Sequence, residues 1–330
     1  MNKKRLGYLY IVLTAIIFST MEIMLKQVHG VFAPLQITVL RFLVGGLALL
    51  PLTLTTLRRH GIFPERSALR TWALTGLLNV SLAMVLYQMA VTYTKASAVA
   101  VIFSSNSVFF LFLAFLLLGE TVRRNNILAL ALQLAAILVI VEPWNAQIDP
   151  LGAAFAILSS LLFALYSVLN KRTVVRYGAL TVTCFCFLFG SLELLTLLLL
   201  GHLAPIASFY ESIGLSIFAQ VPILAGITTA SLPYLAYICL INSAAGFVCH
   251  MKAVELTSAK EAGLIFFIKP ALAPVLALII LGEAITANMA LGIVLFLAGS
   301  AVSIVPGLIE TYRAAHITPA PKAPPRDAQD

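Results

Sequence analysis

The chain has 330 residues, of which 61% are hydrophobic and 10% charged, and its mean hydropathy is +1.02. A soluble domain carries about a quarter charged residues, so the composition excludes water as the main solvent and makes the lipid bilayer the chain's surroundings. The net charge of +8 does not imply a nucleic-acid partner, because the basic residues are scattered over short segments between apolar runs instead of lining one face.

A run of about 20 apolar residues crosses a ~30 Å hydrocarbon core, and such runs recur along nearly the whole chain with short polar breaks between them. The first, within MNKKRLGYLYIVLTAIIFSTMEIMLK, starts like a signal peptide, but its apolar stretch is too long and lacks a small-residue cleavage site, so it reads as a spanning helix. The pattern predicts helices over Leu6–Gln27, Pro34–Leu54, Arg70–Val91, Ala96–Leu118 and Asn125–Val141, then over Leu151–Leu169, Ala179–Leu200, Leu232–Val254, Lys260–Leu281 and Ala287–Val305. The expected fold is all-α and integral to the membrane, with ten transmembrane helices. Cys184, Cys186, Cys239 and Cys249 all fall inside apolar runs without paired-thiol or zinc spacing and read as small apolar fillers.

The chain repeats itself. A shift of 145 places Leu6 on Leu151, Phe18 on Phe163 and Lys26 on Lys171, and it lays Leu35–Gly46 on Leu180–Ser191. Beyond the second helix the shift becomes 163, which places Asn79 on Asn242, Phe103 on Phe266 and Leu118-Gly119-Glu120 on Leu281-Gly282-Glu283. The 18 extra residues lie in the long connection His202–Ser231, where Ile213 to Thr229 reads as a re-entrant segment, an interfacial one or a further helix broken at Pro222. Five helices per copy is an odd number, so the second copy must enter the membrane from the opposite side. The loop Leu57–Arg70 is rich in Arg while its counterpart His202–Ser231 has neither Lys nor Arg, which places equivalent loops in opposite compartments and both termini in the cytoplasm. The expected organisation is a first repeat over 1–145, a second, inverted repeat over 146–305, and a Pro-rich disordered cytoplasmic tail over 306–330.

The paired blocks LLLGETV (Leu116 to Val122) and IILGEAI (Ile279 to Ile285), each at the end of an Ala-containing helix, resemble the EamA-type family of the drug/metabolite transporter superfamily. The resemblance covers Leu6 to Val305. It implies cytoplasmic termini, a central cavity lined by both halves, and export or exchange of small metabolites, amino acids or drugs across the cell membrane. Members commonly carry a proline midway along the fourth helix of each repeat. Here Pro270 is present, a candidate hinge, while its counterpart is Ser107.

Ionisable groups at membrane depth are costly unless paired or hydrated, so each is a functional candidate. Glu22, Arg41, Glu193 and Lys269 qualify. Glu22 and Arg41 fall at similar depth on adjacent helices, which makes an ion pair between them plausible. Lys269, directly before Pro270, is suited to an anionic solute group, to neutralising Glu22 or to proton coupling. Asn79 and Asn242 occupy equivalent central positions and suit either a cavity wall or interhelical hydrogen bonds. Tyr87, Gln88, Asn106, Tyr166, Asn170 and His250 add hydrogen-bonding groups, and the substrate-binding or coupling set is Glu22, Arg41, Asn79, Tyr87, Asn106, Tyr166, Asn242, His250 and Lys269. Lys26 and Lys171 lie at helix ends, placed to snorkel, and Glu120 and Glu283 read as structural.

There is no phosphate-binding loop, HExxH or nucleophile elbow, so neither an enzyme nor a cofactor is expected. The reading is a secondary or facilitative transporter working by alternating access. Its partners would be a small-molecule substrate, the lipid bilayer and protons as a candidate coupling ion. The alternatives are a non-transporting membrane assembly protein, recognisable by a centre closed with large apolar side chains; an exchanger of phosphorylated or nucleotide-linked sugars, which needs several basic groups; and an intramembrane enzyme, which needs catalytic groups converging near Lys269 or His250.

Overall fold

Backbone amides and carbonyls surrounded by hydrocarbon must find partners within their own segment, so a spanning apolar run closes into a helix. The computed structural model describes residues 3–61, 63–119, 124–141, 149–257, 259–262 and 264–317, and among them there are helices but no strands. Seven helices are long and apolar enough to cross a membrane: α1 (Arg5–Gln27), α2 (Pro34–His60), α3 (Arg66–Tyr93), α4 (Ala96–Leu118), α6 (Pro150–Tyr177), α7 (Ala179–Leu200) and α8 (Leu232–Leu256). The others are α5 (Arg124–Val141), α9 (Ile265–Leu281) and α10 (Ala287–Ile317), whose apolar parts are shorter. The chain is a multi-pass helical membrane protein.

The helices interlock across the two halves of the sequence. Helix α1 packs on α8 and α9, while α6 packs on α3 and α4; α2 packs on α7 and α8, while α7 packs on α2 and α3; and α4 meets α9 as α5 meets α10. Exchanging α1–α5 with α6–α10 returns the same set of neighbours. Close approach at glycine makes this possible. A Cβ on Gly76 would lie 2.6 Å from the Cys186 carbonyl oxygen and 2.8 Å from the Gly190 nitrogen, and one on Gly45 would lie 3.1 Å from the Cys239 oxygen. The shifts of 145 and 163 carry Gly45 onto Gly190 and Gly76 onto Cys239, so the two contacts are counterparts. Small residues at helix crossings let backbones approach where lipid offers no hydrophobic drive to associate.

Three helices depart from regular geometry. Helices α3 and α8 each contain a π-helical stretch, Leu77–Ala83 and Tyr237–Ala245, beginning beside the crossings just described. Helix α4 is interrupted between Ala96–Phe103 and Asn106–Leu118, although it has no proline there. The hydroxyls of Ser104 and Ser105 each donate 2.7 Å bonds to the carbonyls of Ala100 and Ile102, and the amides of both serines bond three residues back. Serine side chains here compete with the amides for the carbonyls of the helix and tighten it. In the second half a short helix, Ala259–Ala262, precedes α9, which carries Pro270 and Pro274 within its length.

The connection after α7 holds a short surface helix, Ala204–Ser212, and a single 3₁₀ turn, Ser216–Phe218, so Ile213 to Thr229 is not a further spanning helix. It is tied down by polar contacts: the Gln36 amide group donates to the carbonyls of Ile223 (3.2 Å) and Ala225 (2.6 Å). Gly214, Gly226 and Pro222 prevent a continuous helix. At the other end of the chain, α10 continues through Pro306 to Ile317, farther than the expected end at Val305. The rest of the expected tail, 318–330, lies outside the described residues, as does Glu120.

A methyl group added at Gly76 meets backbone on two sides. Gly76→Ala is expected to destabilise the protein by about 1–3 kcal/mol, the usual cost of overpacking, read as a lower thermal unfolding temperature in detergent. An unchanged temperature would show that the α3–α7 crossing has slack.

Candidate functional site

Lys269 on α9 and Glu22 on α1 meet in the interior. The Nζ of Lys269 lies 2.5 Å from Oε1 of Glu22, and both side chains are 1% exposed. Glu22 thus pairs with Lys269 and not with Arg41, which corrects the pairing of the adjacent helices. The reason is tertiary: α9 packs directly against the last two turns of α1, so the partner comes from the other half of the chain.

The Lys269 ammonium lies 5.0 Å from the ring centre of Phe103 and 5.8 Å from that of Tyr87. Arg41, fully buried on α2, lies 5.9 Å from the ring centre of Tyr87 and 4.6 Å from that of Phe42. Aromatic faces attract cations, but a ring offers no oxygen to a guanidinium donor. Among the described residues none of the three guanidinium nitrogens of Arg41 has a hydrogen-bond partner. Glu22, Lys269 and Arg41 therefore form a buried cluster with one more positive charge than negative, gathered around Tyr87.

A cavity of about 280 Å³ lies between the α1–α2 connection and α3, lined by Val28, His29, Ile37, Gln88 and Thr92 among others; Glu22, Arg41, Tyr87 and Lys269 do not line it and are all buried. The centre is closed by aromatic rings. Phe163 contacts Phe103 at 5.4 Å, Phe247 at 5.7 Å and Phe266 at 6.3 Å, and Phe18, Phe42 and Phe187 extend the same cluster.

The remaining candidates divide. Tyr87 belongs to the charged cluster. Asn106 and His250 lie together beyond the aromatic closure, where the Nε2 of His250 is 3.5 Å from the Ser167 hydroxyl. That distance is too long for a strong hydrogen bond, Ser167 already donates to the Phe163 carbonyl, and no carboxylate orients His250 Nδ1 among the described residues. The pair is not a nucleophilic dyad. Tyr166 is fully buried beside Phe163. Asn242 ties helices together: its amide group donates to the Ile17 carbonyl at 2.9 Å and to the Thr20 hydroxyl at 3.1 Å. Its counterpart Asn79 is equally buried, with neither polar atom partnered among the described residues. Lys26 does not snorkel. Its ammonium donates to the carbonyls of Val91 and Thr94, both at 3.0 Å, where it caps the C-terminal end of α3. Glu283 caps the start of α4, accepting from the amides of Ala96 (2.9 Å) and Ser97 (3.0 Å). Residue-type reasoning missed Ser167 and the serine break at 104–105, because serine in an apolar run carries no individual signal.

The sequence comparisons agree with this architecture. The model of the EamA-like transporter family matches residues 5–142 and again 150–305. An uncharacterized transporter of Clostridium kluyveri is 35% identical over 306 residues, covering 90% of this chain and 92% of that protein. An uncharacterized transporter of Archaeoglobus fulgidus is 27% identical over 295 residues, covering 89% and 95%. A protein of known crystal structure aligns with a TM-score of 0.61 over 92% of this chain and 98% of its own at 16% identity, a likeness of fold alone.

Removing one partner of a buried ion pair leaves the other charge uncompensated, at a cost of about 3–5 kcal/mol. Lys269→Met is therefore expected to lower thermal stability strongly, and adding Glu22→Gln to it should restore most of the loss. If the double variant were no more stable than Lys269→Met, Glu22 would not depend on Lys269 for its charge.

Proposed function

The chain belongs to the EamA-like transporter family and is a membrane transporter, and on that premise we propose that it is a secondary carrier for a small, carboxylate-bearing metabolite such as an amino acid. Ten membrane crossings, arranged as two inverted halves with both termini in the cytoplasm of the cell membrane, would give it alternating access. The observation that carries the reading is Arg41. A guanidinium held in the interior with no oxygen acceptor, beside an ion pair that is already neutral, is matched to an anionic group that arrives with the solute. Arginine presents a planar fork that fits a carboxylate in two places at once.

The charge balance also bears on the alternatives. Lys269 is answered by Glu22, which leaves one free cation for the solute among the described residues of the cluster. That suits a monoanion better than a phosphate ester or a nucleotide-linked sugar, whose dianion calls for more basic groups. Large apolar side chains do close the centre, as they would in a non-transporting assembly protein. The charges buried beside that closure favour a carrier, because a packing core has no use for a guanidinium without an acceptor. Export is the direction the family resemblance suggests, and Glu22 with Lys269 would be the place for proton coupling.

Purified protein in proteoliposomes is expected to move at least one member of a panel of amino acids and small organic acids. With that solute, Arg41→Gln should lower kcat/KM by about 10- to 100-fold, the worth of a hydrogen bond to a charged group. Export predicts that flux is faster from the side of the termini. Silence across the panel with correctly inserted protein, or unaltered kinetics in Arg41→Gln, would falsify the reading.

A further inference from the structure

The two sequence shifts carry every member of the charged cluster onto an uncharged residue. Glu22 falls on Ser167 and Arg41 on Cys186 with the shift of 145, while Lys269 corresponds to Asn106 and His250 to Tyr87 with the shift of 163. These counterparts are not dispersed through the protein. Asn106, Ser167 and His250 line one pocket, floored by Phe266, the counterpart of Phe103. The rings repeat as well: Tyr87 sits 4.8 Å from Phe103, and His250 sits 6.0 Å from Phe266.

From this we infer that the Asn106–Ser167–His250 pocket is a second, neutral binding site, the exchanged image of the charged cluster, and that it takes an uncharged group able both to donate and to accept hydrogen bonds, such as a primary amide or a hydroxyl. Three observations on the pocket itself support the assignment. Asn106 and His250 are 2% and 3% exposed, yet the Asn106 amide nitrogen and His250 Nδ1 have no partner among the described residues. Buried polar groups in that condition are expensive unless something else satisfies them. The pocket they line has room of about 10 Å³, enough for about one water. The Phe103, Phe163 and Phe266 rings lie between this pocket and the charged cluster.

The chemistry of the neutral site follows from its residues. Asparagine supplies two donors and an acceptor, serine one hydroxyl, and histidine one of each in its neutral form. No fixed charge in the pocket favours a carboxylate, so an anionic solute would be held on the charged side and held weakly on this one. The role in transport rests on the carrier reading, but binding at the pocket does not, and it can be measured without flux.

The experiment modifies histidines of the detergent-purified protein with diethylpyrocarbonate and follows each one by peptide mass spectrometry, with acetamide as the neutral probe and sodium acetate as the charged control. Exposed His29 and His60 serve as internal references. Acetamide is expected to slow modification of His250 severalfold without protecting the references, acetate is expected not to, and Asn106→Ala should abolish the protection while leaving the reference rates unchanged. The proposal is overturned if His250 stays unmodified while His29 and His60 react, if acetate protects as well as acetamide does, or if protection survives in Asn106→Ala. Loss of carboxylate flux with protection intact would remove the carrier reading and leave this site standing. Flux without protection would do the reverse.

Discussion

A charge placed in the dry interior of a membrane protein must be answered by another group, and much of this structure is arranged around one such answer. Lys269 and Glu22 are both buried, and their ammonium and carboxylate oxygen touch. The two residues sit on α1 and α9, in different halves of the chain, so the pair forms only when the halves interlock. Breaking it by helix separation would expose two charges to hydrocarbon at a cost of several kcal/mol each. Such a contact acts as a register pin between halves. It also fixes where Tyr87 and Arg41 can stand, since both gather on the remaining faces of the cluster.

The interlocking has a second support in the glycine crossings. Hydrocarbon outside the protein is as apolar as the leucines facing it, so helices gain little by hiding apolar surface from lipid and depend on close packing and hydrogen bonds. At Gly76 with Gly190 the backbones approach to distances a Cβ essentially never shows, and at Gly45 with Cys239 a Cβ would be tight against the carbonyl. The π-helical stretches of α3 and α8 lie beside those same contacts. A π stretch is a common mark of functional segments, and its position here couples the place where halves touch most closely to Asn79 and Asn242. At the C-terminal end of α3 and the start of α4, Lys26 and Glu283 cap neighbouring segments, which satisfies backbone groups at helix ends that would otherwise face a poorly hydrated environment.

The two sides of the central aromatic cluster differ in chemistry more than in shape. Duplication preserves ring positions, as Tyr87–Phe103 and His250–Phe266 illustrate, while the groups around the rings have diverged from charged to neutral.

The sequence by itself determined the helical, membrane-embedded class and most helix limits: α4 and α7 span the expected Ala96–Leu118 and Ala179–Leu200. Apolar length and the period of a helix are local properties, so they can be read from a one-dimensional string. The duplication is legible for the same reason, and its shift of 163 sets Lys269 opposite Asn106. The buried candidates Glu22, Arg41, Lys269 and Tyr87 could be named because a polar group in an apolar run is conspicuous. Only the tertiary structure decided who meets whom. Arg41 is adjacent to Glu22 in helix order, yet Lys269 is the partner, since packing between α1 and α9 sets the distance. The break in α4 likewise appears only in the structure, because serine hydroxyls can take over carbonyls that a neighbouring amide would otherwise hold. Contacts between residues far apart in sequence depend on how helices cross, and no local pattern records the crossing.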